Sequence, residues 1–267
     1  MKSIARSFLA AAAAVSSLSP VIAAGEDSKP VSAPTSIVLA HGAFADGSAW
    51  SRVIPLLQAK GYHVIAVQNT LVSQEADVAT TRRVIEAQRG PVIAVGHSYG
   101  GAVITGAAAG NANVKALVYV AALAPEAGEV LGELYTKFGP SDLATALVPD
   151  SAGFLTIEPS KLHAAFAHDV SAEEAQVMAA TQKPIHSDAF AQSVPQAAWK
   201  TIPSYFLIAT SDHAIKLELQ RFMAERIGAK TIDVDASHVP FLSKPKEVAD
   251  FIDRAARETV GAQQAQR

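Results

Sequence analysis

Six short runs rich in Val, Ile, Leu and Ala recur along the chain: SIVLA (36–40), HVIAV (63–67), PVIAV (91–95), VKALVYV (114–120), YFLIA (205–209) and KTIDV (230–234). Most are apolar at nearly every position rather than at alternate ones. Such runs belong to strands buried on both faces, as in a parallel sheet covered by helices. The intervals between them carry helical stripes. Trp50, Val53, Leu57 and Ala59 form one in the first interval, where Pro55 is expected to interrupt the helix. Leu217, Leu219, Phe222, Met223 and Ile227 form another before the last run, with Gly228 as its stop. This alternation specifies an α/β fold, a mostly parallel sheet flanked by helices.

The alternation fails over residues 125–198, which contain helical stretches around 126–138 and 159–180 broken by Gly139, Pro140, Pro149, Pro159, Pro184 and Pro195. Both ends of this interval join core strands, so it is expected to be a mainly helical cap inserted into a single domain spanning 36–267. An excursion that leaves the carboxyl end of one strand and returns before the next is placed to cover a crevice there. Ahead of the domain, MKSIARSFLAAAAAVSSLSPVIAAG carries Lys2 and Arg6, then an apolar segment, then small residues. That pattern is expected of a signal peptide over 1–24, followed by a polar lead-in at 25–35, and implies export to the periplasm or outside the cell.

Charge and cysteine usage narrow the chemistry. A formal net charge of −3 offers no basic footprint for nucleic acid and no polybasic patch for a membrane surface, so no stable membrane insertion is expected after signal cleavage. With no cysteine among 267 residues, the chain has neither a thiol nucleophile nor thiolate metal ligands. A nucleophile, if there is one, must be an oxygen or nitrogen.

GHSYGG (96–101) follows the PVIAV run and precedes AVITGAAAG, a strand, tight turn and helix in succession. The G-x-S-x-G pattern is weak alone in a chain with 16 glycines, but this context is that of a serine raised on a sharp turn. Gly96 and Gly100 leave room for the backbone to reverse, and the following helix directs its unpaired N–H groups toward Ser98. A serine hydroxyl needs a base. Of eight histidines, His238 in DASHVPFLSKP stands after the final strand run, where a loop reaches back over the sheet edge. His97 reads as a packing residue, His41 and His63 as structural residues at strand ends, His163, His168 and His186 lie in the insertion without metal-ligand spacing, and His213, beside Asp212, is placed to line the crevice. Asp212, three residues beyond the YFLIA run, is the candidate to orient the base; Glu126 is its rival, and the order Ser, Asp, His favours Asp212. Backbone N–H groups of Tyr99 and Ala43, with Phe44 as second candidate in the HGAF loop, are placed to hold an oxyanion.

The combination VLAHGAFADGSAW (38–50), GHSYGG (96–101), LVYVAALAP (117–125), IATSDHAI (208–215) and SHVPFLSKPKEVADFI (237–252) resembles the α/β-hydrolase superfamily, especially its small esterase and hydroxynitrile-lyase-like branch. The resemblance implies Ser98, Asp212 and His238 as catalytic residues, Ala43 and Tyr99 as oxyanion donors, and no cofactor or metal. The lyases of that branch usually carry threonine at the position of Gly42 and lysine at that of Val239. Both departures point to a serine carboxylic-ester hydrolase acting on a small-molecule ester. Leu131, Leu134, Tyr135, Phe138, Phe154, Leu155, Phe166, Met178 and Phe190 supply apolar material for its pocket, which suits small or medium, largely apolar substrates. Lactone or amide hydrolysis, cofactor-free peroxide chemistry, a lyase reaction and an inert binding scaffold are the alternatives. Nothing in the sequence specifies the oligomeric state.

Overall fold

The computed structural model describes residues 33–261. The expected signal peptide at 1–24 and most of the lead-in lie outside the described residues. Within them, β1 (Ser36–Ala40), β2 (His63–Ala66), β3 (Val92–His97), β4 (Val114–Val120), β8 (Ser204–Ala209) and β9 (Lys230–Val234) form one sheet in the order β2-β1-β3-β4-β8-β9. Every neighbouring pair in it is parallel. The central strands β1, β3 and β8 are buried at all positions. The edge strands β2 and β9 are largely half-exposed or exposed, since only one neighbour shields each. Successive crossovers use α1 (Ile54–Gln58), α2 (Gln74–Glu86) and α3 (Tyr99–Ala107). Later, α9 (Leu217–Arg226) joins β8 to β9, and α10 (Pro240–Ser243) and α11 (Pro245–Ala256) follow β9.

The first helical stripe divides in two. A 3₁₀ turn over Gly47–Arg52 buries Trp50, and α1 buries Leu57. Pro55 lies in the first turn of α1 rather than interrupting a longer helix, because the first turn has no use for the N–H that proline lacks. Ala59, counted in the stripe, is exposed.

Between β4 and β8 lie α4 (Leu131–Tyr135), α5 (Asp142–Ala146), α6 (Pro159–Phe166), α7 (Ala172–Thr181) and α8 (Asp188–Ala191). They surround a small antiparallel sheet of β5 (Leu147–Pro149), β6 (Phe154–Ile157) and β7 (Ile185–His186). This second sheet has no counterpart in the sequence reading, because strands of two to four residues are too short to show a period.

The chain leaves β1 for β2 on one side and returns to β3 on the other. Loops following β1 and β3 therefore diverge, opening a crevice at the carboxyl ends of the strands. The segments after β1, β3, β8 and β9 carry His41 to Phe44, Ser98, Asp212 and His238, all at that end of the sheet.

Candidate active site

The turn between β3 and α3 has no slack. A Cβ on Gly96 would lie 2.4 Å from the Gly100 carbonyl oxygen, and one on Gly100 would lie 2.4 Å from that of Ala40. Ser98 itself takes φ 52° and ψ −126°, in the left-handed half of backbone space that non-glycine residues avoid. Such a conformation costs on the order of 1–3 kcal/mol and persists where the surrounding packing imposes it. Here the buried helix α3 and the bonds from Leu123 N–H and Gly101 N–H to the Ser98 carbonyl, both 3.0 Å, hold it. The Ser98 side chain is thereby lifted to the head of α3, beside the helix's positive end.

Asp212 and His238 meet in the buried interior behind this turn. His238 Nδ1 lies 2.7 Å from Asp212 Oδ2, and neither side chain is exposed. The other carboxylate oxygen, Oδ1, accepts the N–H groups of Ala214 at 2.7 Å and Ile215 at 3.0 Å. A carboxylate acceptor fixes the proton on Nδ1, which leaves His238 Nε2 as the nitrogen with a lone pair. That atom is buried and has no hydrogen-bond partner. Leaving a buried polar atom unpaired costs about 1–3 kcal/mol, which marks it as functional or strained.

His97 contributes more than packing. Its Nε2–H donates to the His238 carbonyl at 2.8 Å, and its ring sits 4.7 Å from that of His238. Burial holds its imidazole well below the ordinary histidine range, and the neighbouring His238 acts in the same direction. Phe166 of the cap also packs edge-on against the His238 ring at 4.8 Å.

The loop after β1 is set by His41. Asn69 N–H donates to His41 Nε2 at 3.0 Å, so the ring proton is on Nδ1, which donates to the Gly42 carbonyl at 2.8 Å. In a trans peptide the carbonyl and the following N–H point in opposite directions, so this bond orients the Ala43 N–H away from His41. Burial lowers the His41 pKa and keeps the ring neutral in this role. Phe44 follows with φ 63°, and its carbonyl accepts the Lys183 N–H of the cap at 3.3 Å. As the first residue of α3, Tyr99 has an N–H with no acceptor inside the helix. Its phenol donates to Asp77 Oδ2 at 2.9 Å, and burial followed by the Asp77 charge pushes the phenol's pKa far upward.

Ala43, Phe44, Ser98 and Tyr99 line one narrow cavity of about 30 Å³ together with Leu123, Tyr135, Leu143, Leu147, Phe190 and Ile215. Of the apolar residues named from sequence, Tyr135 and Phe190 reach it; Leu131 and Leu134 are core, and Phe138 is 42% exposed. Leu143, Leu147 and Ile215 were not legible as lining, because isolated leucines and isoleucines signal burial without direction. The rival acid, Glu126, is tied to Lys200 at 2.8 Å and takes no part. His213 turns outward to donate to the Ala164 carbonyl at 2.9 Å. Among the described residues, no group of three or more His, Cys, Asp or Glu could hold a metal ion.

Residues 37–251 match the model of an alpha/beta hydrolase family. A pyrethroid hydrolase of Sphingobium wenxiniae is 27% identical over 255 residues, covering 83% of this chain and 89% of that protein. A carbendazim-hydrolyzing esterase of a Nocardioides species is 32% identical over 124 residues, 42% of this chain and 51% of that one. The crystal structure of a pyrethroid hydrolase from Sphingobium faniae superposes with a TM-score of 0.70 at 25% identity, covering 82% of this chain and 97% of the other.

Proposed function

The chain belongs to the alpha/beta hydrolase family, and from that premise we propose that it is a serine hydrolase of carboxylic esters, working through Ser98, His238 and Asp212. The observation that carries the reading is His238: its Nδ1 is engaged by a buried carboxylate while its Nε2 is buried and unpaired. A base poised in this way is one proton short of its working partner, and Ser98 is the hydroxyl at the neighbouring turn.

Ser98 Oγ attacks the ester carbonyl as His238 Nε2 takes its proton. Asp212 holds the ring and stabilises the imidazolium. The N–H groups of Ala43 and Tyr99 receive the oxyanion, His238 returns the proton to the leaving alcohol, and the same base activates water to release the acid. No step calls on a metal or cofactor. The cavity beside Ser98 is lined by apolar and aromatic side chains with no charged group, which supports a small or medium, largely uncharged acyl group. Its volume, room for one or two waters, means that cap side chains must yield as the acyl group enters. The hydrolase and esterase names of the relatives support ester cleavage, and Gly42 and Val239 depart from the lyase pattern.

A 4-nitrophenyl ester should give a burst of nitrophenolate, and a fluorophosphonate should label Ser98 covalently. Persistence of either in Ser98→Ala refutes the assignment. For the N-terminal segment we propose export with cleavage near residue 24, supported by its charge and apolar pattern. N-terminal sequencing of the mature protein should begin at residue 24 or 25, and a chain beginning at Met1 in the cytoplasm overturns this.

A further inference from the structure

Helix α9 turns Leu219, Gln220, Met223 and Ala224 inward. Three are ordinary core residues. Gln220, with no solvent exposure, is not, because a buried primary amide must find partners for two donors and an acceptor. Its partners are specific. Oε1 accepts the Ala209 N–H at 3.0 Å, and since an N–H only donates, the amide has one permitted orientation. Nε2 then faces Asp212 Oδ2 at 2.9 Å and the Ile215 carbonyl at 2.8 Å, with the Ala209 carbonyl at 3.3 Å.

Oδ2 is also the oxygen that receives the His238 Nδ1 proton. The carboxylate of Asp212 thus has Oδ1 saturated by two backbone N–H groups and Oδ2 shared between His238 and Gln220. We propose that Gln220 is a positioning residue for catalysis, resting on the Ser98, Asp212 and His238 reading. Its Nε2–H occupies one lone pair of Oδ2 so that the other stays directed at His238. Its remaining bonds fasten the acid's loop to the end of β8, from Ala209 to Ile215. Without that donor, the His238 Nδ1–H is the one remaining partner of Oδ2 and the acid's loop loses its tie to the end of β8, so the carboxylate and the imidazole it orients are held less firmly. A leucine or methionine would fill the same volume, so packing alone does not call for an amide here.

The test is a double-mutant cycle read on kcat and KM separately. Gln220→Met keeps shape and removes the donor; kcat for a 4-nitrophenyl ester should fall about ten- to a hundredfold, the range for losing a hydrogen bond to a charged group, with KM within about twofold. In the Asp212→Ala background the same change should cost less than about twofold, because the group it acts through is gone. Losses that multiply across the two backgrounds, or a single variant whose kcat is unchanged, overturn the proposal. Should the methionine variant fail to fold, Gln220→Glu decides. It preserves shape and the acceptor for Ala209 N–H while setting a carboxyl against Asp212, and its deficit must likewise vanish without Asp212. Ser98→Ala separates the two levels of inference. Full activity in that variant removes the hydrolase reading and this proposal with it, whereas an inactive Ser98→Ala beside a multiplicative cycle refutes Gln220 alone.

Discussion

Gly42→Ala offers a stringent check on the oxyanion loop. A Cβ at that position would lie 2.7 Å from Ser98 Cβ, 3.0 Å from His97 Nδ1 and 3.1 Å from the His97 carbonyl oxygen. Carbon atoms in contact prefer separations of about 3.5–4.0 Å, so the loop and the turn must part by about 0.8 Å. The turn cannot give: Gly96 and Gly100 are already pressed against backbone, and Ser98 is held at positive φ. The displacement therefore falls on the Gly42–Ala43 peptide, whose N–H is the proposed oxyanion donor. Moving a donor from about 2.9 Å to about 3.7 Å takes it beyond hydrogen-bonding range. The expected loss is that of one oxyanion donor, about 10²–10³ in kcat or roughly 3–4 kcal/mol, with KM little changed. Overpacking should also lower stability by about 1–3 kcal/mol. Steady-state kinetics on a 4-nitrophenyl ester and thermal unfolding measure both, and Ala43→Gly, which keeps the main-chain N–H, is the control expected to stay near wild type. A Gly42→Ala enzyme with kcat within threefold of wild type would show that this peptide does not bear on the transition state.

Three further outcomes are expected. His41 and His97 are both held neutral below the ordinary histidine pKa of 6.5, chiefly by burial. Below pH 6.5 the unfolded chain takes up protons there that the folded chain refuses, so stability should fall with pH, by up to about 1.4 kcal/mol per unit for each. Denaturant titrations at pH 7.5, 6.5 and 5.5 measure this, and a flat or rising trend contradicts it. Phe190→Ala removes a ring that packs on Tyr99 and Tyr135 beside the cavity. The kcat/KM of a benzoate or hexanoate ester relative to an acetate should rise about tenfold, and an unchanged ratio would place acyl binding elsewhere. Asp169 of the cap accepts the N–H of Ser237 at 2.8 Å and also its hydroxyl, one residue before His238. Asp169→Ala should lower kcat about tenfold and the melting temperature by about 2–4 °C, the equivalent of about 1 kcal/mol in a domain this size; kinetics identical to wild type would separate the cap from the histidine loop.

Much of the sheet is legible in the order of the residues. Continuous apolar runs mark the strands, although the edge run at 63–66 is only half-buried, and glycines at 96 and 100 permit a turn that bulkier residues forbid. Both signals are local, which is why they are legible. From sequence, Asp212 is preferred to Glu126 only by order and loop placement; in the structure Glu126 pairs with Lys200 and Asp212 with His238. Roles that depend on partners distant in sequence are not legible in this way. Gln220 reads as one polar residue on a helix until Asp212, Ala209 and Ile215 close around it. His41 becomes the residue that sets the Gly42 peptide only when Asn69, 28 residues on, fixes its tautomer. The cap's short sheet and the cavity-lining Leu143, Leu147 and Ile215 belong to the same class. A side chain's burial is written into its chemistry, but the direction in which a buried group points is set by the atoms that surround it, and those are assembled by the fold.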